Sequence, residues 1–150
     1  MPLSKDIIGS KLDPFSIKIE RDHLKEFCAA IGETNPLYTD QEAARAQGYP
    51  DTPAPPTFQT SFIWKGYGYE RFWDKLKSLG IDTDRLLHTK EEYVYLQPIF
   101  PGDEISGSAE IVEVRAGRVE MATLKTTYVN QKGETCLEAV MGIMIRPEGK

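Results

Sequence analysis

The sequence predicts an α+β protein in which an antiparallel sheet wraps one central helix. Two observations carry this. The first half reads mainly as helical and the second as four long β-prone runs, and the segment TFQTSFIWKGY (57–67) between them has one charged residue, Lys65. A helix that is apolar nearly all round must be buried. A twisted sheet in turn needs a cover for one face.

The elements follow in order. FSIKIE (15–20) alternates as a short strand. From Asp22, a good N-cap, Leu24, Phe27, Cys28 and Ile31 keep helical spacing up to Gly32, a natural C′ residue. The loop GETNPLYTD (32–40) comes next. DQEAARAQG (40–48) reads as a two-turn helix capped by Asp40 and ended by Gly48. YPDTPAPPTF (49–58) is too rich in proline for regular structure until Pro56, which suits a helix's first turn. ERFWDKLKSLG (70–80) is amphipathic and stops at Gly80. After Asp84 the pattern becomes strand-like: TKEEYVYLQPI (89–99), DEISGSAEIVEVR (103–115), RVEMATLKTTYVN (118–130) and ETCLEAVMGIMIR (134–146). RAGR (115–118) and NQKGE (130–134) are hairpin turns between them.

At 150 residues the chain is expected to form one domain, 1–150, large enough to build a core without staples. Hydrophobic residues make up 40% and charged residues 27%, ordinary values for a soluble globular protein. The net charge of −5 argues against nucleic acid or an anionic membrane surface as the main partner. No apolar run approaches the ~18 residues of a membrane span, and MPLSKDIIGSKLDPF has no apolar core of a signal peptide. Cys28 and Cys136 are far apart and belong to no CxxC, so both read as small buried hydrophobes in a reducing cytoplasm.

With these elements placed, the chain resembles the MaoC-like hydratases and dehydratases, hot-dog-fold proteins acting on acyl thioesters of coenzyme A or acyl carrier protein. Three stretches carry the likeness. GETNPLYTD is similar to that family's Gly-Asp-x-Asn-Pro-x-His-x-Asp hydratase loop. APPTFQTSF (54–62) sits where the family begins its central helix. EEYVYLQPIFPGDEI (91–105) is similar to its strand, Pro-x-x-x-Gly-Asp turn and next strand. The insert 64–90 and the APPTF sequence resemble the short N-terminal dehydratase-domain branch, whose members often work as half of a pair.

The resemblance implies reversible hydration of a trans-2-enoyl thioester. This needs a base for water, an acid for the α-proton, and donors for the thioester oxygen. The family places an Asp and a His five residues apart for the first two; here those positions hold Glu33 and Tyr38. Glu33 keeps a carboxylate, moved by one methylene, roughly 1.5 Å. Tyr38 has a reference pKa of about 10, so near neutrality it donates a proton but hardly accepts one. Loss of such a partner typically costs about 10²- to 10⁴-fold in rate. The third need is met in the family by backbone N–H at the start of the central helix, which maps near Thr57, after Pro55 and Pro56.

The candidate site is therefore Glu33 and Tyr38 in the catalytic positions, with Asn35, Pro56, Thr57 and Trp64 toward substrate. Each has a structural alternative: Glu33 as a solvated residue after a helix, Asn35-Pro36 as a turn device, Asp40 as an N-cap. Trp64, Tyr67, Tyr69, Phe72 and Trp73 are either an acyl-channel wall or ordinary core and interface. His23 and His88 lie off the loop and read as structural. No residue set has metal-ligand spacing, and no cofactor is implied. Three functions stay open: the substrate-binding partner of a catalytic MaoC-like chain in an (R)-specific 3-hydroxyacyl-thioester dehydratase; a self-sufficient homodimeric hydratase using Glu33 and Tyr38; or an acyl-thioester binding protein. An exposed sheet edge and the resemblance both imply a dimer.

Overall fold

The computed structural model describes residues 2–148. Among them, five strands form one antiparallel sheet in the order β1-β3-β4-β5-β2. They are β1 Phe15–Lys18, β2 Leu86–Tyr95, β3 Glu104–Arg115, β4 Glu120–Val129 and β5 Thr135–Ile145. Long β3, β4 and β5 pair through the two hairpin turns expected from the sequence. β1 and β2 form the edges. The inward faces follow the period of two: Ile105, Ala109 and Ile111 on β3, then Ala122, Leu124 and Tyr128 on β4, are buried.

The sheet wraps the segment that starts near Pro56. Phe58, Phe62, Ile63 and Tyr67 are buried and share one core with the inward strand residues. Burying each large side chain is worth roughly 1.5–3 kcal/mol, so the low charge of this segment follows from its position. Its geometry differs from the expected α-helix. Phe58–Ser61 is 3-10, Ile63–Gly68 is π, and the regular helix α4 spans only Tyr69–Ser78. Gly68, at φ +102°, takes a conformation that a side chain would resist and so turns the chain between the two.

Three further helices precede it: α1 Arg21–Ile31, α2 Pro36–Thr39 and α3 Gln41–Ala46. Asp40 caps α3 as expected, accepting from the N–H groups of Glu42 and Ala43. The expected cap of α1 at Asp22 is corrected. The helix starts at Arg21, with Glu20 in the cap position making no side-chain cap bond. The reason lies upstream: Ile19 still exchanges backbone hydrogen bonds with Gly102 and Asp103, and the helix starts after that pairing ends. Asp22 falls in the first turn, where its charge suits the helix dipole. α2 was read as loop, because four residues are too few to show a period. β2 begins at Leu86, three residues before the expected Thr89, and ends before Pro98, which has no N–H for a ladder.

Phe15 locks β1 to both layers. Its ring lies edge-on to Tyr67 and to Tyr128. It occupies space left by two glycines. A Cβ on Gly107 would lie 2.3 Å from the Phe15 ring, and one on Gly66 would lie 2.7 Å from it. Gly107→Ala is therefore expected to destabilise the fold by about 1–3 kcal/mol in urea unfolding. Combined with Phe15→Leu, which frees the space, its cost should fall well below the sum of the single changes; additive costs would mean that the ring is not the obstacle.

Candidate functional site

The loop that resembles the hydratase loop is held at both ends by backbone devices. α1 ends with Gly32 at φ +69°. The Gly32 N–H donates to the Ala29 carbonyl and the Glu33 N–H to the Cys28 carbonyl, which is a Schellman cap. That fixes the backbone of Glu33. The Glu33 carboxylate then accepts from the Asn35 N–H at 2.8 Å, and the Asn35 side-chain oxygen accepts from the Leu37 N–H at 3.1 Å. Asn35 thus caps α2, with Pro36 in its first turn. Cys28, buried and free, leans its thiol toward the Tyr38 carbonyl at 4.0 Å.

A further brace was not legible in the sequence. Arg21 donates to both oxygens of Asp51, at 3.0 and 2.7 Å. Asp51 also accepts from the Thr52 N–H at 2.7 Å and from the Gln41 amide at 3.3 Å. One carboxylate therefore ties the start of α1, the start of α3 and the proline-rich segment into a frame around the loop. The Arg21 bonds hold the Asp51 carboxyl well below the usual carboxylate range; burial opposes this, and the Thr52 and Gln41 bonds reinforce it.

Facing the loop is a cleft of about 280 Å³ between the proline-rich segment, Gln59, the end of β2 and the start of β5. Pro56, Gln59, Tyr95, Ile99 and Leu137 are among its lining residues. Here the Pro56 carbonyl receives two donors. The Tyr95 hydroxyl donates to it at 2.6 Å, and the Gln59 amide donates both to it and to the Tyr95 oxygen. That carbonyl and the Thr57 N–H belong to one planar peptide. Fixing the oxygen on Tyr95 and Gln59 thus directs the N–H of Thr57 to the opposite, exposed side. The Thr57 N–H donates to no group among the described residues.

The loop and cleft meet through two phenols. Burial raises the Tyr38 hydroxyl, and the nearby charge of Glu33 raises it further, with smaller contributions from Tyr49 and Cys28. Tyr95 is also raised, by burial and then by Tyr38. Both hydroxyls therefore stay protonated near neutral pH and act as donors. Tyr38 lies near enough to Glu33 and to Tyr95 for charge to act between them, and Pro56 lines the cleft with Tyr95, whereas Glu33, Tyr38 and Thr57 are not among the cleft's lining residues. Asn35 is committed by its oxygen to a local turn. Trp64 lies elsewhere, in a second, apolar cavity together with His88. Gln59 and Tyr95 were missed; a buried glutamine in an otherwise uncharged helical segment was the one signal for them. Among the described residues no cluster of His, Cys, Asp and Glu could hold a metal ion, and no helix is long and apolar enough to cross a membrane.

Comparison with known proteins places this geometry in a family. Residues 6–139 match the family described as FAS1-like, dehydratase domain region. The chain belongs to this family. It is 34% identical over 117 residues to a UPF0336 protein of Streptomyces coelicolor, covering 77% of this chain and 76% of that one. Among solved structures it is similar to the C-terminally truncated HadBC (3R-hydroxyacyl-ACP dehydratase) complex from Mycobacterium tuberculosis, with TM-score 0.79 and 24% identity over 95% of this chain and 100% of that chain. It is also similar to an (R)-hydratase from A. caviae involved in PHA biosynthesis, with TM-score 0.68 and 19% identity over 93% and 96%. The chain has the hot-dog fold of these dehydratases and hydratases.

The Asp51 frame gives a pH signature. A carboxyl depressed in the folded state contributes stability that is fully present above its unfolded value, about 3.9, and is lost as pH falls through the folded value. Unfolding free energy should therefore drop more steeply below about pH 4 in the native chain than in Asp51→Asn. At pH 7 the variant is expected to be less stable by about 1 kcal/mol, since both partners are partly exposed.

Proposed function

We propose that this chain is the substrate-binding subunit of an (R)-specific 3-hydroxyacyl-thioester dehydratase or enoyl-thioester hydratase, working beside a catalytic MaoC-like chain that carries the Asp and His. The observation that carries this is the state of the loop. Its sequence resembles a hydratase loop and its Gly32, Asn35 and Asp40 caps hold it in place, yet its two reactive positions hold a carboxylate engaged with the Asn35 N–H and a phenol pushed upward. Hydration needs one group that gives and one that takes a proton near neutral pH. Tyr38 can only give, and the taker left on the loop, Glu33, is moved by one methylene and turned to the Asn35 N–H. Similarity to a dehydratase solved as a complex of two chains supports the pairing.

In this reading the chain contributes binding. The Thr57 N–H, at the start of a helical run and unpaired among the described residues, supplies a donor for the thioester oxygen. Tyr95 and Gln59 act as positioning residues: by donating to the Pro56 carbonyl they fix and polarise the peptide whose other end is that N–H.

The purified chain alone should hydrate a short trans-2-enoyl thioester no faster than buffer, and a sister chain with an intact Asp/His loop should restore turnover to the pair. Turnover by the chain alone that collapses in Glu33→Gln would instead establish a self-sufficient enzyme with Glu33 as base. Stable binding of an acyl-coenzyme A, with no turnover alone or in any pair, would leave a binding protein.

The positioning role has its own test. Tyr95→Phe combined with Gln59→Leu removes both donors to Pro56 without touching the loop. Affinity for a saturated acyl-coenzyme A should weaken on the order of 10-fold, the worth of about one hydrogen bond. Unchanged affinity in a variant that melts like the native chain would rule the role out.

A further inference from the structure

A second constellation lies on β2, at the far end from the cleft. The ladder between β2 and β5 has a bulge at Thr89, between His88 and Lys90. The bulge is accommodated by Gly142 on β5, where a Cβ would meet Lys90 at 2.8 Å; the Thr89 hydroxyl donates to the Gly142 carbonyl at 3.1 Å. Bulges re-aim side chains. Here the result is that His88, Glu91 and Tyr93 are joined in one line. His88 Nε2 lies 2.5 Å from one Glu91 oxygen and 3.0 Å from the Lys90 carbonyl, while the Tyr93 hydroxyl donates to the other Glu91 oxygen at 2.5 Å.

These contacts fix the tautomer of the neutral imidazole. Both groups facing Nε2 are acceptors, so Nε2 carries the proton and, in the neutral ring, Nδ1 keeps its lone pair. Nδ1 makes no hydrogen bond to any described residue. The ring lines an apolar cavity of about 210 Å³, bounded by Trp64, Phe72, Trp73, Leu76, Met141 and Ile143. At ~30 Å³ per water-sized group, this holds on the order of seven heavy atoms. Two polar groups stand in that wall: His88, an oriented acceptor, and the indole N–H of Trp73, buried with no partner among the described residues.

We propose that this cavity is a binding site for an apolar group that carries one hydrogen-bond donor, an alcohol or phenol, with His88 Nδ1 accepting its hydroxyl hydrogen. Glu91 and Tyr93 position the ring. A purely hydrocarbon occupant would leave the lone pair unused, and a group that only accepts could take the Trp73 N–H but would give the lone pair no bond. The site is separate from the thioester cleft and does not depend on the function proposed for it.

The test uses the full chain and two probes of seven heavy atoms. 1-Hexanol donates and accepts, whereas 1-methoxypentane only accepts. The two tryptophans of the chain, Trp64 and Trp73, both line the cavity, so intrinsic fluorescence reports its occupancy directly. Both probes should saturate the signal, with hexanol binding about 3- to 10-fold tighter, the net worth of one hydrogen bond. In His88→Phe the ether should still bind and the preference should vanish. His88→Gln, which keeps an acceptor, should recover part of it. Equal affinities in the native chain, a preference that survives His88→Phe, or no saturable change at the tryptophans would each overturn the proposal.

Discussion

The structure depends on burying an almost uncharged helical run against the inner face of a five-stranded sheet. Phe58 and Phe62 are 1% and 0% exposed, and their rings meet edge to face. Phe62 continues the contact into Tyr128 on β4, and Tyr128 into Phe15 on β1. A single chain of aromatic rings therefore joins helix, sheet centre and sheet edge. The interior is close-packed, so each ring fixes the room left for the next. This is why glycine stands where the Phe15 ring passes, at positions 66 and 107.

That packing places the site without supplying its chemistry. The helical run begins at the proline-rich segment, so burying Phe58 brings the Pro56–Thr57 peptide to one fixed location. The end of β2 is fixed by its pairing with β5, which carries Tyr95 to the same place. The loop arrives from the other side on α1, whose buried residues Leu24 and Cys28 seat it against the core. Arg21 and Asp51 then close the frame. Half-buried, bidentate and further bonded by Thr52 and Gln41, this pair is better placed than an isolated surface ion pair to hold a geometry.

Much of this was legible in the residues. The order of elements, the turns at 115–118 and 130–134, the Gly32 and Asp40 caps and the buried segment after Pro56 all follow from period, turn chemistry and the absence of charge. Other features needed three dimensions. Arg21 and Asp51 are thirty residues apart in sequence, and local pattern says nothing of such a pair. The start of α1 was missed because strand pairing at Ile19 overrides the capping preference of Asp22. The π geometry of Ile63–Gly68 has no period of its own in a segment apolar on all sides. The bulge that joins His88 to Glu91 cannot be seen without the partner strand, where Gly142 is a trace of it. Trp64, expected toward substrate as a channel wall or else as core, lines the other cavity, where the turning helix carries it.

The loop shows how shape and chemistry separate. Its backbone is specified by Gly32 in the left-handed region, by Asn35 and Pro36 at the start of α2, and by Asp40 at the start of α3. None of these needs a particular side chain at position 38, and at position 33 the carboxylate is engaged with the neighbouring Asn35 N–H. Folding stability therefore fixes the outline of this loop while placing little constraint on its proton chemistry. A tyrosine at position 38 keeps an aromatic ring and a donor near enough to Tyr95 for its charge to act there. What it removes is the ability to take a proton at neutral pH. On the function proposed above, the proton acceptor comes from the second chain. The unpaired edge of β2, which begins beside one cavity and ends beside the other, is the surface through which a second chain could reach both.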